Sequence, residues 1–276
     1  MAARGGHTRI MGILNVTPDS FYDGGRYADT ERAVERAFEM IAQGAHIIDV
    51  GGESSRPGAS PVTAREEIDR VCPVIERITR ESDIPVSIDT CKAEVAGEAL
   101  GAGAVIVNDI SGLADERMAK TAAAHGAHVV IMHMKGTPAT MQHEPRYLDL
   151  MGEVKEGLEA GIRTALEAGI PPEHIILDPG VGFGKTMDHN YELLRNTGIF
   201  RAMGYPLLIG LSRKSLIGGL YGQGEDRLPA TIALNAVCAF MGADIVRVHD
   251  VREHRLALAA IEMLKGVTAE NGSAVR

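Results

Sequence analysis

Tryptophan is absent from the 276 residues, and aromatic residues make up only 4%. No stacking platform for single-stranded nucleic acid is therefore visible. Positive charge is in deficit: 28 Lys and Arg against 37 Asp and Glu give a formal net charge of −9, which argues against nucleic acid as a partner. Cysteine is scarce. Cys72, Cys91 and Cys238 are odd in number and far apart, which excludes a disulfide-stapled scaffold and predicts buried thiols in a reducing, cytoplasmic compartment. No run of about 18 apolar residues exists, so no membrane span is expected. Residues 1–8 lack the apolar stretch of a signal peptide. What remains is an ordinary globular balance, 45% hydrophobic and 24% charged.

One pattern recurs along the chain: a short apolar run that stops at a polar residue. The runs are 10–14 before Asn15, 47–48 before Asp49, 86–88 before Asp89, and 105–107 before Asn108. They continue with 129–132 before His133, 175–177 before Asp178, 207–211 before Ser212, and 245–248 before His249. Val/Ile-rich runs without alternation suit strands buried on both faces of a parallel sheet. Helical patterns fill the gaps. Thr30 is placed to cap a helix ended by Gly44, and Thr63 with Glu66 reads as a capping box. Pro73 inside that second pattern is expected to bend or split the helix. Further helices are expected over 92–100, 115–125, 147–168, 188–196, 228–241 and 250–264.

Eight alternations of strand and helix favour a closed (β/α)8 barrel over an open doubly wound sheet. No Pro/Ser-rich or charged linker divides the chain. A single domain over 1–276 is expected, with the barrel at about 8–266 and a frayed tail at 267–276. In such barrels the active site lies at the C-terminal ends of the strands. Nearly every run here ends there in Asn, Asp, His or Ser, which predicts a polar bowl built for a ligand.

Several constellations feed that bowl. The loop 15–25 joins the first strand to the first helix and carries a carboxamide and two carboxylates, hard donors suited to Mg²⁺ beside phosphate. The loop 51–58 offers two glycines and Arg56 between Ser55 and Pro57, a setting for phosphate. The Gly and Pro content of both predicts loops that move until an anion arrives. Asp89, Asn108 and Asp178 end strands three, four and six, a rim of acceptors for the N–H edge of a flat heterocycle such as an amino-pyrimidinone. Residues 178–186 imitate a phosphate-binding P-loop, but the position that should hold the first Gly is Pro179. Nucleotide binding is rejected on that spacing, leaving a mobile Gly-rich loop with Phe183 and Lys185. After strands seven and eight, Arg213, Lys214 and Arg247 form a cationic cluster beside Ser212, Ser215 and His249, where barrels often bind phosphate. The remaining histidines show no metal-ligand spacing, so no zinc site is expected.

Over residues 10–264 the chain resembles the bacterial, monofunctional dihydropteroate synthase type of the pterin-binding family. The resemblance rests on 15–25, 51–58, Ser87-Ile88-Asp89-Thr90, Asn108-Asp109-Ile110-Ser111-Gly112, 132–138, 178–185, 212–215 and 247–250. It implies condensation of 6-hydroxymethyl-7,8-dihydropterin diphosphate with p-aminobenzoate, giving 7,8-dihydropteroate and diphosphate for folate synthesis. It implies that Asp89, Asn108, Asp178, Lys214 and Arg247 contact the pterin, and that Asp89, Asp178, Lys214 and Arg247 carry catalysis. By the same resemblance Asn15, Arg56, Arg247 and His249 meet the diphosphate, and Asn15 with Asp23 holds Mg²⁺. Phe21, Ser55, Arg56, Pro57, Phe183 and Ser215 form the p-aminobenzoate pocket. The resemblance also implies a homodimer through helices on the outer wall and a sulfonamide target. The family commonly has Thr where this chain has Ser55, so a hydroxyl is kept and a methyl lost. Two other readings share the barrel: a corrinoid-dependent methyltetrahydrofolate methyltransferase, and a non-catalytic pterin-binding paralogue. The first would have no use for the two long loops or for 212–215, and the second should have lost diphosphate-site groups that are present here.

Overall fold

The computed structural model describes residues 7–17, 25–54, 61–138, 140–221 and 225–266. The tail expected at 267–276 lies outside the described residues, as do 18–24 and 55–60 of the first two long loops.

The eight expected strands are all present: β1 (Arg9–Asn15), β2 (Ile47–Gly51), β3 (Val86–Asp89), β4 (Ile106–Asp109), β5 (His128–Met132), β6 (Ile175–Asp178), β7 (Leu208–Ile209) and β8 (Ile245–Val248). They form one parallel sheet in the order β6-β5-β4-β3-β2-β1-β8-β7. The ring shuts where β6 meets the start of β7, through one bridge between Leu177 and Leu207 and a 2.9 Å bond from Leu177 N–H to Pro206 O. The chain thus folds as a (β/α)8 barrel.

The helices α1 (Gly25–Gln43), α2 (Ala64–Glu81), α3 (Ala93–Gly101), α4 (Glu116–Ala124), α5 (Leu150–Glu167), α6 (Met187–Arg195), α9 (Leu228–Phe240) and α10 (Val251–Leu264) match the sequence patterns within a few residues. α1 begins before Thr30, so Thr30 is not its cap. The Thr63–Glu66 capping box is made in both directions. α2 nevertheless runs unbroken through Pro73. Val71 on one side of the proline and Val74, Ile75 and Ile78 on the other are buried, so tertiary packing holds both halves in one helix. Two short helices, α7 (Thr197–Arg201) and α8 (Ser215–Tyr221), were not signalled because neither is long enough to show a period.

The strand period of two builds the site. Met11, Ile47, Ile106, Val130, Ile176, Leu208 and Ile245 form an apolar cluster separate from the main core, which fills the lower interior of the barrel. Two residues further along the same strands stand Asp49, Asn108, Met132, Asp178, Gly210 and Arg247. Successive same-face residues of a strand share one side of the sheet. On β1 and β5 that position stays apolar, at Ile13 and Met132, but on β2, β4, β6 and β8 the residue type changes from apolar to polar or ionisable within one step up the barrel.

Candidate active site

Arg247 on β8 lies at the centre of the upper layer. Its Nε donates to Asp49 Oδ2 at 2.5 Å and its Nη2 to Asp89 Oδ2 at 2.6 Å. Asn108 Nδ2 donates to the same Asp49 oxygen at 3.0 Å. The register Asp89↔Asn108 sets those two side by side on β3 and β4, while Asp49 on β2 is opposite Ser87, two residues before Asp89. Asp49 is fully buried, and its Oδ1 has no partner. A guanidinium held by two carboxylates has its pKa raised further, even against the burial that opposes its charge. Burial pushes the Asp89 carboxyl up to about 7, with Asp49, Glu67 and Asp109 adding to the rise and Arg247 opposing it.

Asp178 at the end of β6 is 6% exposed. Its Oδ1 accepts the Gly180 N–H at 2.7 Å, so the carboxylate anchors the turn that follows it. Burial raises its pKa, while Lys214, the Gly180 amide, Lys185 and Arg247 pull it down. Lys214 Nζ donates to Val181 O and lies 4.3 Å from the centre of the Phe183 ring, a cation over an aromatic face. Burial brings Lys214 down to about 8, with Asp178 opposing the fall. Gly210 leaves room between these groups. A Cβ there would stand 3.7 Å from Asp178 Oδ2 and 3.9 Å from Arg247 Cβ.

The loops after β7 and β8 are tied to each other. Ser212 Oγ and His249 Nδ1 are 3.0 Å apart, and the His249 amide donates to Ser212 Oγ at 3.2 Å. Arg213 Nε donates to Asp250 Oδ2 at 2.9 Å. The expected cationic cluster is divided: Arg213 pairs with Asp250 with its side chain half exposed, whereas Lys214 and Arg247 lie inward beside Asp178. Arg213 also holds a φ of 56°, a left-handed conformation uncommon for a residue with a side chain. Ser215 starts α8 and is exposed. Asn15 ends β1 beside Gly51, paired with it in register and half-buried.

The structure thus brings together Asp89, Asn108, Asp178, Lys214 and Arg247, and sets Asn15, Phe183, Ser215 and His249 at the same end of the barrel. Phe21, Asp23, Ser55, Arg56 and Pro57 lie outside the described residues. In the sequence Asp49 is one strand end among eight, with nothing to mark a role. Its neighbours come from β4 and β8, so only the register reveals it. Below the second loop, Lys92 Nζ bonds Glu53 and lies 2.5 Å from Glu67 Oε2, while Glu53 Oε1 accepts the Val62 amide at 3.2 Å. These bonds fasten both ends of the segment that holds Ser55–Pro57.

The described site meets known proteins at this point. The pterin binding enzyme family matches residues 11–249. A dihydropteroate synthase from a Synechocystis species is 48% identical over 250 residues, covering 90% of this chain and 86% of that protein. The Escherichia coli K12 dihydropteroate synthase is 47% identical over 257 residues, covering 93% and 91%. A Clostridium difficile dihydropteroate synthase solved in the presence of pteroic acid superposes with a TM-score of 0.89 at 46% identity, covering 96% of this chain and 99% of that one. A Xanthomonas albilineans dihydropteroate synthase in complex with 7,8-dihydropteroate gives 0.86 at 38% identity, covering 95% of both. The chain belongs to the pterin binding enzyme family. Within that class it falls among the dihydropteroate synthases.

Proposed function

We propose that the chain joins 6-hydroxymethyl-7,8-dihydropterin diphosphate to p-aminobenzoate, forming 7,8-dihydropteroate and releasing diphosphate. The observation that carries this reading is the upper layer of the barrel: Asp89, Asn108, Asp178, Lys214 and Arg247 converge at one mouth, beside Gly210. In this reading Asp178 accepts the N–H donors of the pterin edge, with Asp89 and Asn108 completing the rim. Lys214 donates to the ring, and Arg247 lies against its face. The pterin methylene–oxygen bond breaks with its electron pair leaving on diphosphate. The ring spreads the positive charge left on the methylene carbon, and the p-aminobenzoate nitrogen forms the new C–N bond and sheds a proton. An arylamine is already nucleophilic, so positioning and electrostatics supply most of the acceleration.

Asn15, Arg56, Arg247 and His249 are assigned to the diphosphate. Asn15 with Asp23 would hold Mg²⁺; a carboxamide and a carboxylate oxygen fit a cation that takes few protein ligands and completes its shell with phosphate and water. When bound, that ion supplies positive charge to the leaving group. Phe21, Ser55, Arg56, Pro57, Phe183 and Ser215 are assigned to the p-aminobenzoate pocket. Apolar side chains exposed on α7 (Ile199) and α9 (Val237, Phe240) support a homodimer through outer-wall helices. Of the three thiols expected to be buried only Cys238 is, Cys72 being half-buried and Cys91 exposed; all three are free, which suits the reducing, cytoplasmic setting we infer. Diphosphate release measured with each substrate alone and with both together tests the reading. Release that requires both is expected. Release without p-aminobenzoate, or none with both and Mg²⁺, overturns it.

A further inference from the structure

The sequence singles out Lys185 only as part of a Gly-rich loop expected to be mobile. The structure shows that loop docked on all sides. Lys185 is 3% exposed and folds back beneath the turn that precedes it. Its Nζ lies 2.9 Å from Phe183 O, 3.0 Å from Gly180 O, 3.3 Å from His133 O and 3.0 Å from His133 Nδ1. Tyr147 Oη donates to Gly184 O at 2.8 Å, and Gln142 Nε2 to Gly182 O at 2.9 Å. The one carbonyl left between Gly180 and Gly184, that of Val181, takes Lys214. The backbones also touch. A Cβ on Gly180 would fall 1.8 Å from His133 O, and one on Gly184 would fall 2.3 Å from Lys135 O. Both glycines have positive φ, so no other residue would serve there.

An ammonium has three protons and no acceptor, and burying it is costly unless several acceptors surround it. Here the acceptors are carbonyls of the turn itself and His133. Burial pushes the His133 ring down to about 3 and also lowers the Lys185 ammonium to about 7, with Asp178 opposing that fall. The hydrogen bonds made by Lys185 Nζ therefore fix the conformation of the residues that carry Phe183 and the Val181 carbonyl. Those two groups in turn set the place of the Lys214 ammonium.

We propose that Lys185 is a positioning residue for the arylamine side of the site: by holding the carbonyls of Gly180, Phe183 and His133 it sets the Phe183 ring and the Val181 carbonyl against which Lys214 aligns. This inference rests on the dihydropteroate synthase reading above.

The test is steady-state kinetics and pterin binding on Lys185→Met, which keeps the length of the side chain and removes its donors. The KM for p-aminobenzoate is expected to rise about five- to tenfold, the scale of one misplaced hydrogen-bonded contact. Affinity for the pterin diphosphate by calorimetry is expected to fall about threefold, less than the KM rises, because Lys214 loses part of its alignment while Asp89, Asn108 and Arg247 stay in place. A lower melting temperature with an unchanged KM for p-aminobenzoate overturns the proposal, because it leaves Lys185 a purely structural staple. Loss of pterin affinity with that KM unchanged overturns it as well. If Lys185→Met does not fold, Tyr147→Phe decides. It removes only the bond to Gly184 O, and should raise the same KM about two- to threefold; no change overturns the proposal. A wild-type chain that forms no dihydropteroate defeats the functional reading itself, and wild-type activity with unaffected variants defeats this inference alone.

Discussion

Ile176 and Asp178 stand two residues apart on β6 and face the same barrel interior, yet they belong to different kinds of structure. Ile176, 1% exposed, sits in the apolar lower layer with Ile106, Val130, Leu208 and their neighbours. Asp178 sits one step higher among Lys214, Lys185 and Arg247. The lower layer has no polar group to satisfy, and close packing of branched side chains makes it a stable floor. The upper layer keeps ionised groups buried by pairing them, at a desolvation cost that burial of apolar surface elsewhere must offset. The barrel therefore separates stability from chemistry along its axis and not around its circumference.

That separation can be broken from either side. The largest effect is expected from Asp178→Asn, which should lower pterin affinity by about a hundredfold or more, because an amide turns an NH₂ toward a ring N–H donor and leaves a buried mismatch. Calorimetry with the pterin diphosphate checks it, and near-normal affinity would remove Asp178 from the site. Ile176→Ala should do the opposite. It should lower unfolding free energy by about 2–4 kcal/mol through the cavity it leaves, while KM for both substrates stays near that of the wild type. Denaturant titration beside kinetics reads both halves of that statement. The smallest effect is expected from Ser215→Ala at the outer mouth. Losing one hydroxyl contact to a charged carboxylate should raise the KM for p-aminobenzoate roughly tenfold with little change for the pterin. A pterin defect with an unchanged p-aminobenzoate KM would move Ser215 out of the second-substrate pocket.

The strands and their polar ends were legible because burial on both faces writes itself as unbroken Val/Ile runs, and a strand end is marked by the first polar residue. That was enough to gather Asp89, Asn108 and Asp178 at one mouth. Groups defined by contacts across the ring were not legible. Asp49 looks like any other strand end until β8 brings Arg247 to it. Arg213 reads as a free cation until the fold brings Asp250, 37 positions later, to pair with it. Lys185 reads as a loop lysine because the residue that buries it, His133, belongs to the previous strand's loop. Pro73 misled in the other direction, since a local rule about helix breaking was overridden by the four buried side chains that flank it.

The closure of the ring carries one more consequence. Most neighbouring strands are laddered over four or five residues, but β6 and β7 meet at a single bridge, and β7 itself is two residues long. Stretches with few hydrogen bonds open most readily, so this seam is expected to exchange its amides faster than the strand pairs laddered over four or five residues. Asp178 and the Phe183 turn lie on one lip of it, and Lys214 and Ser215 on the other. On the proposed reading the p-aminobenzoate wall spans this joint, so the width of its cleft would follow how far the joint is shut.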